Sequence, residues 1–347
     1  LEKGMVSDRR LNRSGTLEEG LEIMMEVKKG FTVEDIHRRA RKQIEMAVSN
    51  GSTSLRTHID LDSAIGLKGV EALSALREDL KESVTIQLVV LPHGDPVSSQ
   101  EFLKVLRKAI ELSDLIGGFP GPGDEKLVDL LFQLAREFDR DLDLHVDEKD
   151  DTETLEIRYL AEKTIQEGYE GRVTVDHLCA LSSLPSSEAR DVIALIRDAG
   201  LNVITLPSSN LHIQGRADDH KPRRGITRVK EMLAEGIPVA YASDNIRDGF
   251  TPFGNADMLE VGLIFAHGAQ MGSFEELKTV LDMGTEIPGR IFFRNDTYGI
   301  RVGNVADLVV LDVHRFEDAI VTQPTRLWVF KKGRMVARSS TVTDLFL

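Results

Sequence analysis

Five of the nine histidines in this chain stand where short hydrophobic runs end, mostly with a carboxylate or carboxamide close by. His58 and Asp60 close SLRTHID, His93 closes VVLPH, and His145 with Glu148 closes LHVDE. His177 ends VTVDH, His212 follows Asn210 in LPSSNLH, and Asp244 with Asn245 ends VAYASDN. Imidazoles and carboxylates gathered at one mouth are the ligands of a catalytic divalent ion that keeps one position open for water. Each residue also has a plain role. His145 fits a half-exposed strand end, Glu148 a solvated carboxylate at a helix start, and Asp244 a helix cap. His177 fits a hydrogen-bonded core histidine, and His93 before Gly94 fits a turn. Their joint occurrence at consecutive run ends is what points to a metal. His37, His220, His267 and His314 lie in helical or loop contexts and read as structural. In DLDLHVDEKDD, Asp141 and Asp143 read as strand alternation, Asp150 and Asp151 as helix-start charge, and Asp147 has no role.

The elements that must position these residues alternate. Strand-like runs at 53–60, 85–93, 114–121, 141–148, 172–181, 201–210 and 237–245 are separated by amphipathic helical stretches such as QEFLKVLRKAIELS. Seven such units imply a parallel sheet with helical crossovers. No G-x-G-x-x-G follows the first run, so a (β/α)₈ barrel is favoured over an open dinucleotide-binding sheet. Chemistry in such barrels sits at the C-terminal strand ends, where the histidines fall. The catalytic barrel is expected over residues 1–302. Residues 303–347 read as strands, with a hairpin at KKG, and form a small β-structured appendage.

With 347 residues and 41% hydrophobic content the chain can bury a large core. A net charge of −14 disfavours nucleic acid and anionic membranes. No apolar run of about 18 residues predicts a membrane span. The polar start is no signal peptide, and one cysteine, Cys179, excludes an internal disulfide; a cytoplasmic location is expected. Neutral small-molecule substrates suit this acidic chain, and a homo-oligomer is compatible with it.

SLRTHIDLD, LHVDEKDD, VTVDHLCALSS, LPSSNLHIQGR, the stretch from RRGITRVKEML through YASDNIRDGFTPFGNADML, and GNVADLVVLD resemble the cytosine deaminase group of the amidohydrolase superfamily. They are also similar to relatives that remove alkylamines from triazine rings. The resemblance covers nearly the whole chain. It implies a (β/α)₈ barrel, a small β-sandwich, one Zn²⁺ or Fe²⁺, and hydrolysis of C–N bonds on nitrogen heterocycles. By position, His145 and Asp244 match metal ligands, Glu148 the proton shuttle, and His177 the residue that steadies the adduct oxygen. Asp244 also takes the water proton, and His93, Asn245 and Phe250 fall at substrate-binding positions. Two departures stand out. The family's H-x-H metal motif is absent, and LEKG resembles the residues just after it. The motif, the first barrel strand and half of the sandwich are therefore expected upstream of Leu1. His93 replaces a glutamine, and SDN replaces a paired aspartate, which puts cytosine itself in doubt as substrate. Rival readings are a cyclic-amide-opening amidohydrolase and a non-catalytic binding barrel.

Overall fold

The computed structural model describes residues 1–6, 10–293 and 298–346. Two helices, α1 (Leu17–Lys28) and α2 (Val33–Ser49), precede an unbroken series of strand–helix units. These are β1 (Ser54–Leu61), α3 (Lys68–Leu80), β2 (Thr85–Pro92), α4 (Gln100–Leu112), β3 (Leu115–Gly118), α5 (Glu125–Phe138) and β4 (Asp141–Val146). The series continues through α6 (Glu156–Glu167), β5 (Val173–His177), α7 (Ser186–Asp198), β6 (Asn202–Thr205), α8 (Pro207–Ile213), α9 (Val229–Ala234) and β7 (Val239–Tyr241). After β7 come α10 (Met258–Ala269), α11 (Phe274–Met283) and α12 (Glu286–Phe293).

β1 to β7 pair in sequential order, all in parallel. This is the winding of a TIM-type barrel, with seven of its eight strands present among the described residues. Where the sheet stands open, between β1 and β7, the segment Leu1–Val6 spans the mouth. Met5 and Val6 donate backbone N–H groups to Ile246 and Arg247 at 2.9 and 2.8 Å. Asp60 N–H donates to Glu2 Oε1 at 3.1 Å, and Arg39 Nη1 holds the Glu2 and Gly4 carbonyls at 2.8 and 2.7 Å.

The helices form as their periodicity predicts. In α5, Val128, Leu131, Phe132, Leu134 and Ala135 recur at helical spacing and are all buried. Asp139 ends the helix in the left-handed region at φ 50°, a conformation that Asp tolerates. Parallel strands are covered on both faces, so β2 carries Leu88, Val89, Val90 and Leu91 in an unbroken buried run. One expectation is corrected. The run 201–210 is not all strand: β6 stops at Thr205, and Pro207 starts α8, where its fixed φ and missing N–H suit a first helical turn.

The C-terminal part holds a three-stranded antiparallel sheet of β8 (Leu308–Leu311), β9 (Arg326–Lys331) and β10 (Arg334–Arg338), with α13 (Glu317–Thr322) between β8 and β9. Lys332 and Gly333, at φ 51° and 76°, make the two-residue hairpin turn expected at KKG. Among the described residues, no helix is long and apolar enough to cross a membrane.

Candidate active site and metal centre

A polar layer fills the inside of the sheet just below the C-terminal strand ends. It is built from residues two apart on three strands: Arg56 and His58 on β1, Asp143 and His145 on β4, and Thr174 and Asp176 on β5. Asp143 is therefore not solvent-facing alternation as expected. It is 1% exposed and accepts from Arg56 Nη1 at 2.6 Å, while His58 Nε2 lies 3.3 Å from its Oδ1. Arg56 Nε also donates to Gln87 Oε1 of β2 at 2.9 Å. Asp176, which carried no assignment from sequence, is 4% exposed and places Oδ2 2.9 Å from His145 Nδ1 and 3.6 Å from His58 Nε2.

His58, His145 and Asp176 each bring a possible ligand atom within 4.8 Å of the others. Burial, with His58 and His177 nearby, pushes the His145 imidazole well below its usual value, so the ring is neutral as a ligand must be. A proton on Nδ1 donated to Asp176 leaves Nε2 as the lone-pair donor, the carboxylate–histidine arrangement that orients metal ligands. Burial and the neighbouring Asp143 raise Asp176 well above the carboxylate range. Asp143 is held down at about 2: burial opposes this, but the His58 and Arg56 charges prevail.

Above this layer, the strand ends turn sharply. Asp147, His177, Leu178 and Asp244 are non-glycine residues with φ of 53°, 69°, 52° and 58°. Left-handed backbone at such residues is strained and gathers at functional sites. Asp147 serves α6: its carboxylate accepts from the N–H groups of Glu156 and Ile157 at 2.9 and 3.3 Å. Asp150, expected as helix-start charge, accepts from Gly215 N–H at 2.8 Å and so ties down the loop after α8.

His177 is 1% exposed and Glu148 Oε1 lies 3.5 Å from its Nδ1. Asn210 Nδ2 donates to that Nδ1 at 3.0 Å, so Nε2 carries the proton, and Nε2 is buried with no hydrogen-bond partner. Burial lowers His177 to about 4. Burial and the Asp244 charge raise Glu148 well above its usual value, which favours its protonated form. The His145 and His177 ring centroids are 4.9 Å apart. Asp244 is not one of the three clustered donors, though its charge reaches Glu148, Asp176 and His177.

Of the residues expected to bind substrate, His93 follows β2 and points Nε2 at Asp60 Oδ1, 3.1 Å away. Asn245 donates its amide to Asp248. Phe250 is 9% exposed and packs with Val6, Met24, Phe31 and Ile36, with Lys3 Nζ 5.8 Å from its ring centroid. His212 makes its contacts elsewhere, edge-on to Phe253 at 5.3 Å and beside Arg216.

The pattern of the Amidohydrolase family matches residues 47–337. This chain belongs to the amidohydrolase family. The amidohydrolase is 33% identical over 339 residues to N-isopropylammelide isopropyl amidohydrolase of Pseudomonas sp. (strain ADP), covering 96% of this chain and 80% of that one. It is 30% identical over 345 residues to pterin deaminase of Rhizobium rhizogenes (strain K84 / ATCC BAA-868), with coverages of 98% and 78%. The crystal structure of 5-methylcytosine deaminase from Klebsiella pneumoniae liganded with 5-fluorocytosine superposes with a TM-score of 0.94 at 30% identity, over 99% of this chain and 85% of that one. The residues of the amidohydrolase fit a divalent ion. Two imidazoles and a carboxylate, with an unpartnered buried His177 Nε2 beside them, are a donor set that a divalent metal ion can use.

Proposed function

We propose that this amidohydrolase is a metal-dependent hydrolase that breaks the bond between a ring carbon and an amino substituent of a nitrogen heterocycle, releasing ammonia or an alkylamine. The observation that carries the reading is one juxtaposition. Glu148, its carboxyl raised by burial, lies against a neutral His177 whose Nε2–H has no partner, beside the His58–His145–Asp176 donors. Residues 1–302 would carry the catalysis, with 303–347 forming the β-structured appendage.

His145 and Asp244 would hold the ion, Zn²⁺ or Fe²⁺, with His58 and Asp176 within reach from the layer beneath. Such an ion activates a water molecule at neutral pH. Asp244, just past the end of β7, would serve as the base that accepts the proton of the attacking water. Glu148 passes its own proton to the ring nitrogen next to the attacked carbon, which makes that carbon electrophilic. His177 donates from Nε2 to the oxygen of the adduct and stabilises the charge growing there. As the carbonyl forms, the Glu148 carboxylate would take back the proton of the adduct hydroxyl, and Asp244 or Glu148 would pass a proton to the departing amine, so that both carboxyls return to their starting states. His93, Asn245 and Phe250 would line the substrate pocket. Opening of a cyclic amide through a modified lysine is disfavoured, because Lys149 is tied to Glu156 at 2.8 Å and to Thr154 at 3.0 Å.

The test is to load the protein with Zn²⁺ or Fe²⁺ and assay amine release from alkylamino-triazines, pterins and cytosines, the classes that the relatives' names suggest. Turnover in at least one class is expected. A stoichiometric ion with no turnover in any of the three would overturn the reading.

A further inference from the structure

One buried carboxylate near the mouth has no part in the reaction as proposed. Asp248, 2% exposed, lies in the loop between β7 and α10. The chain doubles back around it: Asp248 N–H donates to the Thr251 carbonyl at 2.9 Å, and Arg247 N–H to that of Phe253 at 2.8 Å. α1 closes over this turn. A Cβ at Gly249 would stand 3.0 Å from Ile23 Cγ2 and Met24 Sδ and 3.1 Å from the Gly20 carbonyl oxygen. The Lys3 charge reaches Asp248 but is paired with Asp60 at 2.7 Å.

Three donors converge on the carboxylate, and none of them is charged. Oδ1 accepts from the N–H groups of Phe250 at 2.9 Å and Thr251 at 3.3 Å, and Oδ2 accepts from Asn245 Nδ2. The turn alone needs no carboxylate. Asn or Ser accepts the same backbone N–H groups without burying a charge, whereas a carboxylate held by neutral donors is expensive to take out of water. What Asp adds is a second acceptor oxygen, and that oxygen holds Asn245. A carboxamide donates only from nitrogen and accepts only at oxygen. With Nδ2 bound to Asp248, the Asn245 Oδ1 is turned away from it and has no hydrogen-bond partner among the described residues.

We propose that Asp248 is a positioning residue that holds the Asn245 carboxamide with Oδ1 outward as a fixed acceptor and anchors the backbone of Phe250, so that both residues meet the substrate already in place. One buried group thereby sets two walls of the pocket, and the ordering is complete before binding. The effect on substrate rests on the reading of the mouth as a heterocycle site, whereas the orientation of Asn245 does not.

D248N is the informative variant. Its remaining oxygen still accepts from the backbone N–H groups, but its amide nitrogen cannot accept from Asn245. The Asn245 carboxamide must then turn over and present Nδ2 in place of Oδ1. N245D/D248N exchanges donor and acceptor, and the carboxylate at position 245 again offers an outward oxygen. The zinc-treated full chain is assayed at a pH of about 8, above the value of about 6 to which burial pushes the Asp248 carboxyl. For a substrate that the wild type turns over, D248N should raise KM about ten- to a hundred-fold, with kcat changed only a few-fold and ion content unchanged. The double variant should recover part of that loss. An unchanged KM in D248N, or a double variant no better than D248N, would overturn the proposal.

The second readout is the Asn245 side-chain amide pair in ¹H–¹⁵N spectra, assigned from its loss in N245D. In the wild type the proton donated to Asp248 should lie downfield of the range of exposed asparagines, and it should return to that range in D248N. Exposed-type shifts in the wild type would refute the clamp, and this spectrum decides even if D248N fails to fold. A chain with no turnover at all would sink the proposed reaction, while the spectrum would still read the orientation of Asn245.

Discussion

Replacing Glu148 by glutamine separates proton transfer from everything else the site does. The substitution keeps the shape and leaves a neutral side chain. Burial and the Asp244 charge raise the native carboxyl well above its usual value, so its surroundings favour a neutral side chain such as the amide. Its side chain is 8% exposed and 3.5 Å from His177 Nδ1, so the packing it provides is retained by an amide of nearly equal volume. Folding stability should therefore hold or rise slightly, and since Glu148 is not a proposed ligand, ion content should be unchanged. Only delivery of a proton to the ring nitrogen is lost. General acid–base catalysis contributes about 10² to 10⁴ in rate, or roughly 3 to 5 kcal/mol of barrier. E148Q should lower kcat by that factor at unaltered melting temperature and unaltered metal stoichiometry. These are read by amine release, thermal denaturation and elemental analysis on one preparation. Near-native kcat would refute the shuttle. Loss of activity together with loss of the ion would place Glu148 among the ligands instead.

Asp176→Asn should weaken ion binding about ten- to a hundred-fold through misorientation of His145, and Asp244→Asn should also release the ion. Dialysis against a chelator checks both, and full retention in the two variants would refute the metal assignment. Phe132→Ala removes a fully buried ring that meets Tyr169 edge-on at 5.7 Å, and should cost about 3 to 5 kcal/mol in urea unfolding. Ser273→Ala removes the capping box of α11 and should cost about 1 kcal/mol by the same measurement. Burial pushes the Asp248 carboxyl up to about 6, so the folded state binds its proton more tightly than the unfolded chain does. Its stabilising effect is complete near pH 4 and lost as pH rises towards 6. The wild type should thus lose up to about 3 kcal/mol relative to D248N across that window.

The strand–helix order, the gathering of histidines and carboxylates at strand ends and the KKG hairpin were legible in the residue pattern, because period and turn residues are local signals. The polar floor was not. In D-L-D-L-H, alternation looks the same whether the polar face meets water or the inside of a barrel, and only the closing curvature of the sheet decides. A signal was nevertheless present. R-T-H, D-L-H and T-V-D each place two polar residues two apart just before a strand end, on β1, β4 and β5. Three such pairs at matched depth are improbable as solvent faces. Asp60 was visible as a strand-end residue, but its pairing with Lys3 and Lys28 joins segments far apart in the chain, which no local pattern reports.

The left-handed residues at the strand ends bear on how such a mouth can diversify. Each of Asp147, His177 and Asp244 turns the chain within a single residue, so the loop beyond begins abruptly. A change of loop length or composition past that turn is absorbed in the loop and is not passed back along the strand to His145 or Asp176. The floor can thus be inherited intact while the walls are rewritten. That is one physical route by which chains this similar come to bear names as different as triazine, pterin and pyrimidine hydrolases.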